Sequence, residues 1–222
     1  MTYFQPAFVK FFKDLNDNNH KEWFDANKKI YEHSIKLPFQ KFVEELISRI
    51  QQKDPEVLIK ASDAVIRIYN DVRFSKDKTP YKTRISANIS KYGRKDKSYP
   101  GFYIQMDADQ IGMFGGVYMA EPSMIQSIRK EIAAAPKEFK AAYTNADFVK
   151  KFGAIKGEVQ KRVPKEWMDL AKIEPLIANK QFYYQASLPI DQLYRPDLME
   201  QVFNYFEAGM KVNEFLKRAW SN

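Results

Sequence analysis

The sequence contains no cysteine and only two histidines. The absence of cysteine excludes disulfide bonds, thiolate nucleophiles and cysteine metal sites, and it suits a reducing compartment. His20 and His33 lie near the start and the end of one predicted helix, so neither resembles a paired catalytic base. A Ser-His-Asp triad and a histidine metal site are therefore not expected. We predict no metal site, and the sequence indicates no particular cofactor.

Apolar runs long enough to span a membrane are also missing. The first residues, MTYFQPAFVKFF, lack the basic start and the apolar stretch of a signal peptide. We expect a cytoplasmic protein without a membrane partner. Apolar side chains are nevertheless plentiful, since 45% of the 222 residues are hydrophobic and 15% are aromatic. This content is sufficient for the core of one domain covering residues 1–222.

Positive charge is concentrated in one part of the chain. Lys and Arg total 36 against 28 Asp and Glu, a formal net charge of +8. Nine basic and two acidic residues lie between Arg73 and Lys97, so this segment alone carries +7. Such a segment attracts phosphates, nucleic acid or acidic surfaces, although solvated lysines in loops are the commoner explanation.

Hydrophobic periodicity predicts helices in residues 1–54 and again near the C-terminus. Asn19 and Glu22 have the spacing of a capping box at the start of the second helix, and Pro38 indicates a bend or a restart. Pro122 is well placed to open another helix, and a long amphipathic helix is expected after Pro196.

Between residues 62 and 119 the apolar period changes to 2, which is typical of strands. The first predicted strand places Ala64, Ile66 and Ile68 inward, and it places Val65 outward together with a charged row formed by Arg67, Tyr69, Asp71 and Arg73. The strand continues to Val72 and Phe74. Later strands are expected at residues 85–89, 102–106, 111–119, 158–163 and 181–188. Residues 120–222 mix helices and strands. We therefore predict an α+β domain with a mostly antiparallel sheet of about five or six strands, packed against N-terminal and C-terminal helices.

The stretch DVRFSKDKTPYKTRI, residues 71–85, combines charges, a proline and two aromatic residues. Pro80 and the turn-forming Asp77 favour a rigid loop, and a rigid basic loop suits an anion. We predict a site for a phosphorylated or other anionic ligand, which the protein binds or processes. The ligand is a small molecule or nucleic acid. The predicted ligand-binding residues are Arg67, Asp71, Arg73, Lys78, Tyr81, Lys82, Arg84 and Tyr118.

Two further interpretations of the same residues stay open. In the first, Asp71 acts as a proton-transferring base, with Arg73 and Lys78 stabilising developing charge, so the protein is an enzyme. In the second, the protein is a structural or protein-interaction domain. Its arginines are then neutralised by Asp71 and by acids on the first helices, such as Glu22 or Asp25.

The chain resembles the conserved hypothetical family known as domain of unknown function 2461. The segments that carry the resemblance occur in the family's order: NNHKEWF, RIYNDVRFSKDKTPYKT, PGFY, GGVYMAEP and KRVP. The resemblance implies a cytoplasmic single domain of this size. It brings no established activity, cofactor or catalytic residue.

Overall fold

The computed structural model describes residues 2–73 and 76–220. Helices precede and follow a five-stranded antiparallel sheet, so the predicted α+β class is confirmed. Within the described residues, no helix combines the length and the apolar character needed to cross a membrane.

The N-terminal helices are α1 (Ala7–Asp17), α2 (Lys21–Ile30) and α3 (Leu37–Gln51). A π-helical turn, Tyr31–Lys36, joins α2 directly to α3. Pro38 cannot donate a backbone hydrogen bond, and a widened turn just before it accommodates the missing bond. The predicted interruption at Pro38 therefore takes the form of a π-helical turn in a continuous helical segment.

The residue that caps α2 is not the predicted one. His20, not Asn19, has the extended backbone of the N-cap, and its Nδ1 accepts a long hydrogen bond of 3.5 Å from the N–H of Trp23. Glu22 contacts His20 rather than Asn19. Asn19 instead makes a long-range contact, described below, that local capping rules could not reveal.

The five strands of the sheet lie in sequence order, and every neighbouring pair is antiparallel. A short helix leads straight into the first strand. The elements are α4 (Ala61–Ala64), β1 (Val65–Ile66), β2 (Ile85–Ile89), β3 (Gly101–Met106), β4 (Gln110–Val117) and β5 (Phe182–Pro189). A short turn at residues 107–109 joins β3 to β4, whereas longer connections, residues 67–84 and 90–100, lie between the earlier strands. Residues 118–181, which include several helices, separate β4 from β5.

The first strand is shorter than predicted, and its two residues face opposite to the prediction. Val65 lies opposite Ala87 on the core side of the sheet and is only 8% exposed, whereas Ile66 lies opposite Ser86. The predicted outward position of Val65 and inward position of Ile66 are wrong, because pairing with β2 sets their register. Ala64 and Ile68 are buried, as predicted. Phe74, the last residue of the predicted strand, lies outside the described residues.

After β4 come α5 (Pro122–Ala134), α6 (Pro136–Tyr143) and α7 (Ala146–Phe152). Pro122 opens α5, as predicted. The expected strand at residues 158–163 is wrong, since this segment makes a single isolated bridge, at Val159, and Lys156 just before it makes another. A short helix, α8 (Met168–Ala171), follows. The final helix, α9 (Leu198–Lys217), confirms the predicted C-terminal helix.

The buried apolar side chains form two clusters, and both clusters lie on one face of the sheet. The register aligns Ala87, Ile104, Met113 and Ala186 across four strands, and this row faces the helices. The alternate residues along each strand face the other way. Among them are Tyr103, Phe114 and Tyr183, and none of these three belongs to either cluster. Helices therefore cover one face of the sheet, while strand side chains of the opposite face stay at the surface. We call this second surface the open face.

Asn213 of α9 fastens the helix to two glycines in the sheet. Gly101 and Gly116 face each other on β3 and β4, and Gly116 has a φ of 82°, which a residue with a Cβ rarely adopts. Asn213 donates to the C=O of Gly101 (3.0 Å) and accepts from the N–H of Gly116 (2.9 Å). One buried amide thus satisfies main-chain groups of two strands.

We expect Asn213→Leu to lower the free energy of unfolding by about 2 kcal/mol, because it leaves the N–H of Gly116 and the C=O of Gly101 without their partner. Urea denaturation followed by far-UV circular dichroism measures the change. Lys211→Ala, an exposed change on the same helix, serves as the control and should leave the midpoint unaltered. Equal stability of the two variants would contradict this role for Asn213.

Candidate functional site

Three of the predicted site residues are engaged within their own loop. Asp71 accepts from Arg73 Nε at 2.9 Å and from Nη2 at 2.8 Å, and Lys78 donates to the C=O of Val72 at 2.8 Å. These bonds lower the pKa of Asp71, and a carboxylate with a lowered pKa is a weaker base. The arrangement therefore gives little support to Asp71 as a proton-transferring base.

Tyr81 is part of the core, so its ring is not open to a ligand. It is only 4% exposed and stacks on Phe24 of α2, with ring centroids 4.0 Å apart and planes 15° from parallel. This position is incompatible with the predicted role of Tyr81 as a ligand-binding residue. Its backbone bridge to Tyr69 turns the ring towards α2.

Asn19 holds the main chain of Tyr81 from the helical side. Its side-chain amide donates to the C=O of Tyr81 (2.9 Å) and accepts from the N–H of the same residue (3.1 Å). This two-point contact copies the hydrogen bonding of a neighbouring strand. It connects the turn before α2 to the segment that carries the basic residues.

Lys82 lies at the centre of a group of positive side chains. Its Nζ donates to the C=O of Arg67 at 3.0 Å and to the C=O of Tyr69. Burial lowers its pKa, and the nearby charges of Arg67, Lys97 and Arg84 lower it further. We call Arg67, Lys82, Arg84 and Lys97 the cation cluster. Within the described residues, the side chains of Arg84 and Lys97 make no hydrogen bond or ion pair.

A bulge places Arg84 in this cluster. Two cross-strand pairs frame it: Ile66 with Ser86, and Ile68 with Lys82. Arg67 alone therefore faces residues 83–85. Extra residues on one strand bend it locally and redirect its side chains. Arg84 is exposed at this bend, whereas the next residue, Ile85, is buried.

A groove of about 480 Å³ runs over the open face beside the cation cluster. We call it the sheet groove. Arg84 and Lys97 lie at the β2 side, and aromatic and amide side chains from β3, β4 and β5 continue across the sheet. Its polar and aromatic lining includes Arg84, Asn88, Lys97, Tyr103, Gln105, Phe114, Tyr118, Tyr183 and Gln185.

Aromatic rings line the sheet groove in two edge-to-face pairs. The rings of Tyr103 and Phe114 have centroids 5.6 Å apart, and those of Tyr118 and Tyr183 are 5.0 Å apart. Tyr118 is 56% exposed, so the predicted site residue lies at the rim of the groove. Gly101 and Gly116 lie between the pairs, and the floor is low there because glycine has no side chain. A Cβ at Gly116 would also collide with the main chain of Phe182.

The structure thus divides the predicted site. Arg67, Lys82, Arg84 and Tyr118 lie in or beside the sheet groove, whereas Asp71, Arg73 and Lys78 belong to the loop and Tyr81 to the core. Sequence reasoning missed Lys97 and three aromatic residues of the open face, Tyr103, Phe114 and Tyr183, as site residues. The sequence pattern of β3 could have identified Tyr103 and Gln105, because they alternate with the buried Phe102, Ile104 and Met106 and so face away from the core.

A metal centre has no candidate ligands in the described part of the chain. Among residues 2–73 and 76–220, no three His, Asp or Glu side chains gather closely enough to hold a metal ion. The polar chemistry of the sheet groove is instead that of cationic and amide hydrogen-bond donors, which suits anions.

A family model described as conserved hypothetical protein (DUF2461) matches residues 7–215. The match includes every residue of the cation cluster and of the sheet groove. No curated protein and no solved structure matches the chain.

We expect Asn19→Ala to lower the free energy of unfolding by about 1 kcal/mol, because the main chain of Tyr81 loses both hydrogen bonds to the amide. Asp71→Ala is the comparison variant. It removes an exposed ion pair and a long, exposed hydrogen bond from the N–H of Arg73, and it should leave stability nearly unchanged. Thermal and urea unfolding of both variants measure the difference. A larger loss of stability in Asp71→Ala than in Asn19→Ala would show that the Asp71–Arg73 pair, not Asn19, holds this segment.

We expect the ε-methylene NMR signal of Lys82 to titrate below the usual lysine range, since burial and three neighbouring cations disfavour its charged form. Arg67→Ala removes one of those charges and should move the pKa of Lys82 upward. Lys140→Ala, an exposed change on α6, is the control and should leave the Lys82 signal unaltered. An unchanged pKa of Lys82 in the Arg67→Ala variant would contradict the cation cluster.

Proposed function

The chain belongs to the DUF2461 family, whose description names no activity, and we propose from its residues that it binds a phosphorylated or otherwise anionic ligand at the cation cluster. Arg84 and Lys97 contact the anion first, and Arg67 and Lys82 add their positive potential. The proposal includes binding alone and binding that precedes a reaction. Tyr118 lies at the rim of the same groove.

One observation carries this proposal: four cations lie close together, and two of them have no partner among the described residues. Repulsion between like charges is unfavourable, and an anion with several oxygens relieves it. Arg84 also offers a planar guanidinium, which pairs with two oxygens of a phosphate or a carboxylate. The net charge of +8 adds a long-range attraction for such ligands.

The alternative proposal, a structural or protein-interaction domain, requires the same arginines to be neutralised by Asp71 and by acids of the first helices. Asp71 does pair with Arg73, within the loop. Glu22 contacts His20, and Asp25 pairs with Lys21. Within the described residues, neither acid makes a hydrogen bond or ion pair with Arg67. These contacts favour the ligand-binding proposal. We also propose a cytoplasmic location, because a chain without cysteine is suited to a reducing compartment.

We expect Arg84→Ala/Lys97→Ala to weaken binding of inorganic tripolyphosphate about tenfold or more, because charge-assisted hydrogen bonds to the anion are lost. Isothermal titration calorimetry at low ionic strength measures the affinity. Lys140→Ala/Lys150→Ala is the matched control, since it removes charge from exposed lysines of α6 and α7. Undetectable binding by the parent protein, or equal losses in the two double variants, would refute the proposal.

A further inference from the structure

The sheet groove extends well beyond the cation cluster, and its extra surface is aromatic. We propose, on the basis of the proposed anion-binding function, that the ligand is a single-stranded nucleic acid. Its phosphates lie at Arg84 and Lys97, and its bases lie on the rings of the open face. The aromatic residues, rather than the cations, then distinguish this ligand from other polyanions.

The positions of the rings suit stacking on bases. Phe114 contacts Tyr103 on one side of the glycine floor, and Tyr183 contacts Tyr118 on the other. Each pair is edge to face, so the rings are held at steep angles to each other, at 72° and 85°. Rings fixed in this way by their partners lose little entropy when a base stacks on them. Stacking of this kind contributes roughly 1–3 kcal/mol per base and tolerates any base.

Side-chain amides lie among these rings. Gln105 is next to Tyr103 on the open face, and Gln185 lies directly opposite Phe114 on β5. Within the described residues, neither glutamine side chain makes a hydrogen bond to protein. An amide presents both a donor and an acceptor, which match the edges of an unpaired base.

The width of the open face favours an oligonucleotide over a single nucleotide. From β2, which begins next to Arg84, to β5, which carries Tyr183, there are three strand spacings, or about 14 Å. A stacked strand advances about 3.4 Å per nucleotide, so this distance corresponds to roughly four nucleotides. A single nucleotide with its phosphate at Arg84 would leave the Tyr118–Tyr183 pair uncovered.

A double helix does not fit the same chemistry. Its bases are stacked on one another, so their faces are unavailable to protein rings. The positive charge lies at one side of the groove and the aromatic surface at the other. This separation complements a single strand, in which phosphates and bases point in different directions.

The test measures fluorescence anisotropy of the full chain with labelled octamers: oligouridine, oligothymidine and an abasic phosphodiester of equal length. We expect both base-containing octamers to bind at least tenfold more tightly than the abasic strand. The oligouridine and oligothymidine arms separate RNA from DNA as the preferred strand. Equal affinity for the abasic strand, or tighter binding of a duplex or of uridine monophosphate, would overturn the inference.

Leucine variants locate the bases on the open face. Tyr118→Leu, Tyr183→Leu and Phe114→Leu each remove a ring and keep an apolar side chain, and we expect each to weaken octamer binding about tenfold. Phe203→Leu, an aromatic change on α9 outside the groove, is the control and should have no effect. Melting temperatures confirm that the variants fold, and Tyr118, being mostly exposed, is the variant least able to disturb the core.

The outcomes separate the two proposals. If the leucine variants bind octamers normally while Arg84→Ala/Lys97→Ala still loses tripolyphosphate, the anion site stands and the nucleic-acid inference fails. If that double variant keeps its affinity for tripolyphosphate, the anion site itself fails. Loss of octamer binding in both sets of variants, with normal binding by Phe203→Leu, supports both proposals.

Discussion

The sheet groove depends on the contact between the Asn213 side chain and the two glycines beneath it. Asn213 is buried in α9, and its amide forms hydrogen bonds with one main-chain group of β3 and one of β4. The same helix receives the hydroxyl of Tyr184, which donates to the C=O of Gly209 at 3.0 Å. Helix α9 therefore acts from the covered face, yet it fixes the backbone that forms the floor of the opposite face. Gly116 adopts a positive φ because it has no Cβ, and Asn213 provides the hydrogen-bond partner of its N–H.

The open face follows from how the core is arranged. Ile104 and Met113 face the N-terminal helices, and Val117 and Phe182 face the helices after β4. These residues lie on one side of the sheet because cross-strand neighbours point the same way. Antiparallel sheets commonly leave their second face to solvent, and polar side chains usually occupy it. Here rings occupy it as well, and exposed aromatic surface beside positive charge is a recurrent feature of binding sites.

The sequence predicted the helices and most strands because their apolar periods are long and regular. The prediction failed where tertiary contacts determine which way a side chain faces. Val65 faces the core because β2 sets its register, and Tyr81 is buried because Asn19 and Phe24 hold it, although its neighbours are charged. The candidate site was half predicted for the same reason. Local pattern identified the basic segment, whereas the meeting of Arg84 with rings of distant strands depends on the sheet itself.

The like charges of the cation cluster repel one another, and this repulsion disfavours the folded state. The pKa of Lys82 is lower in the folded protein than in an unfolded chain, so the unfolded state binds this proton more tightly. Its contribution to stability therefore rises with pH through the window between the two pKa values, and at lower pH the charged lysine opposes folding. The C=O groups of Arg67 and Tyr69 offset part of this repulsion. An anion would remove more of it, and sites that destabilise the unliganded protein are typical of function rather than of structural support.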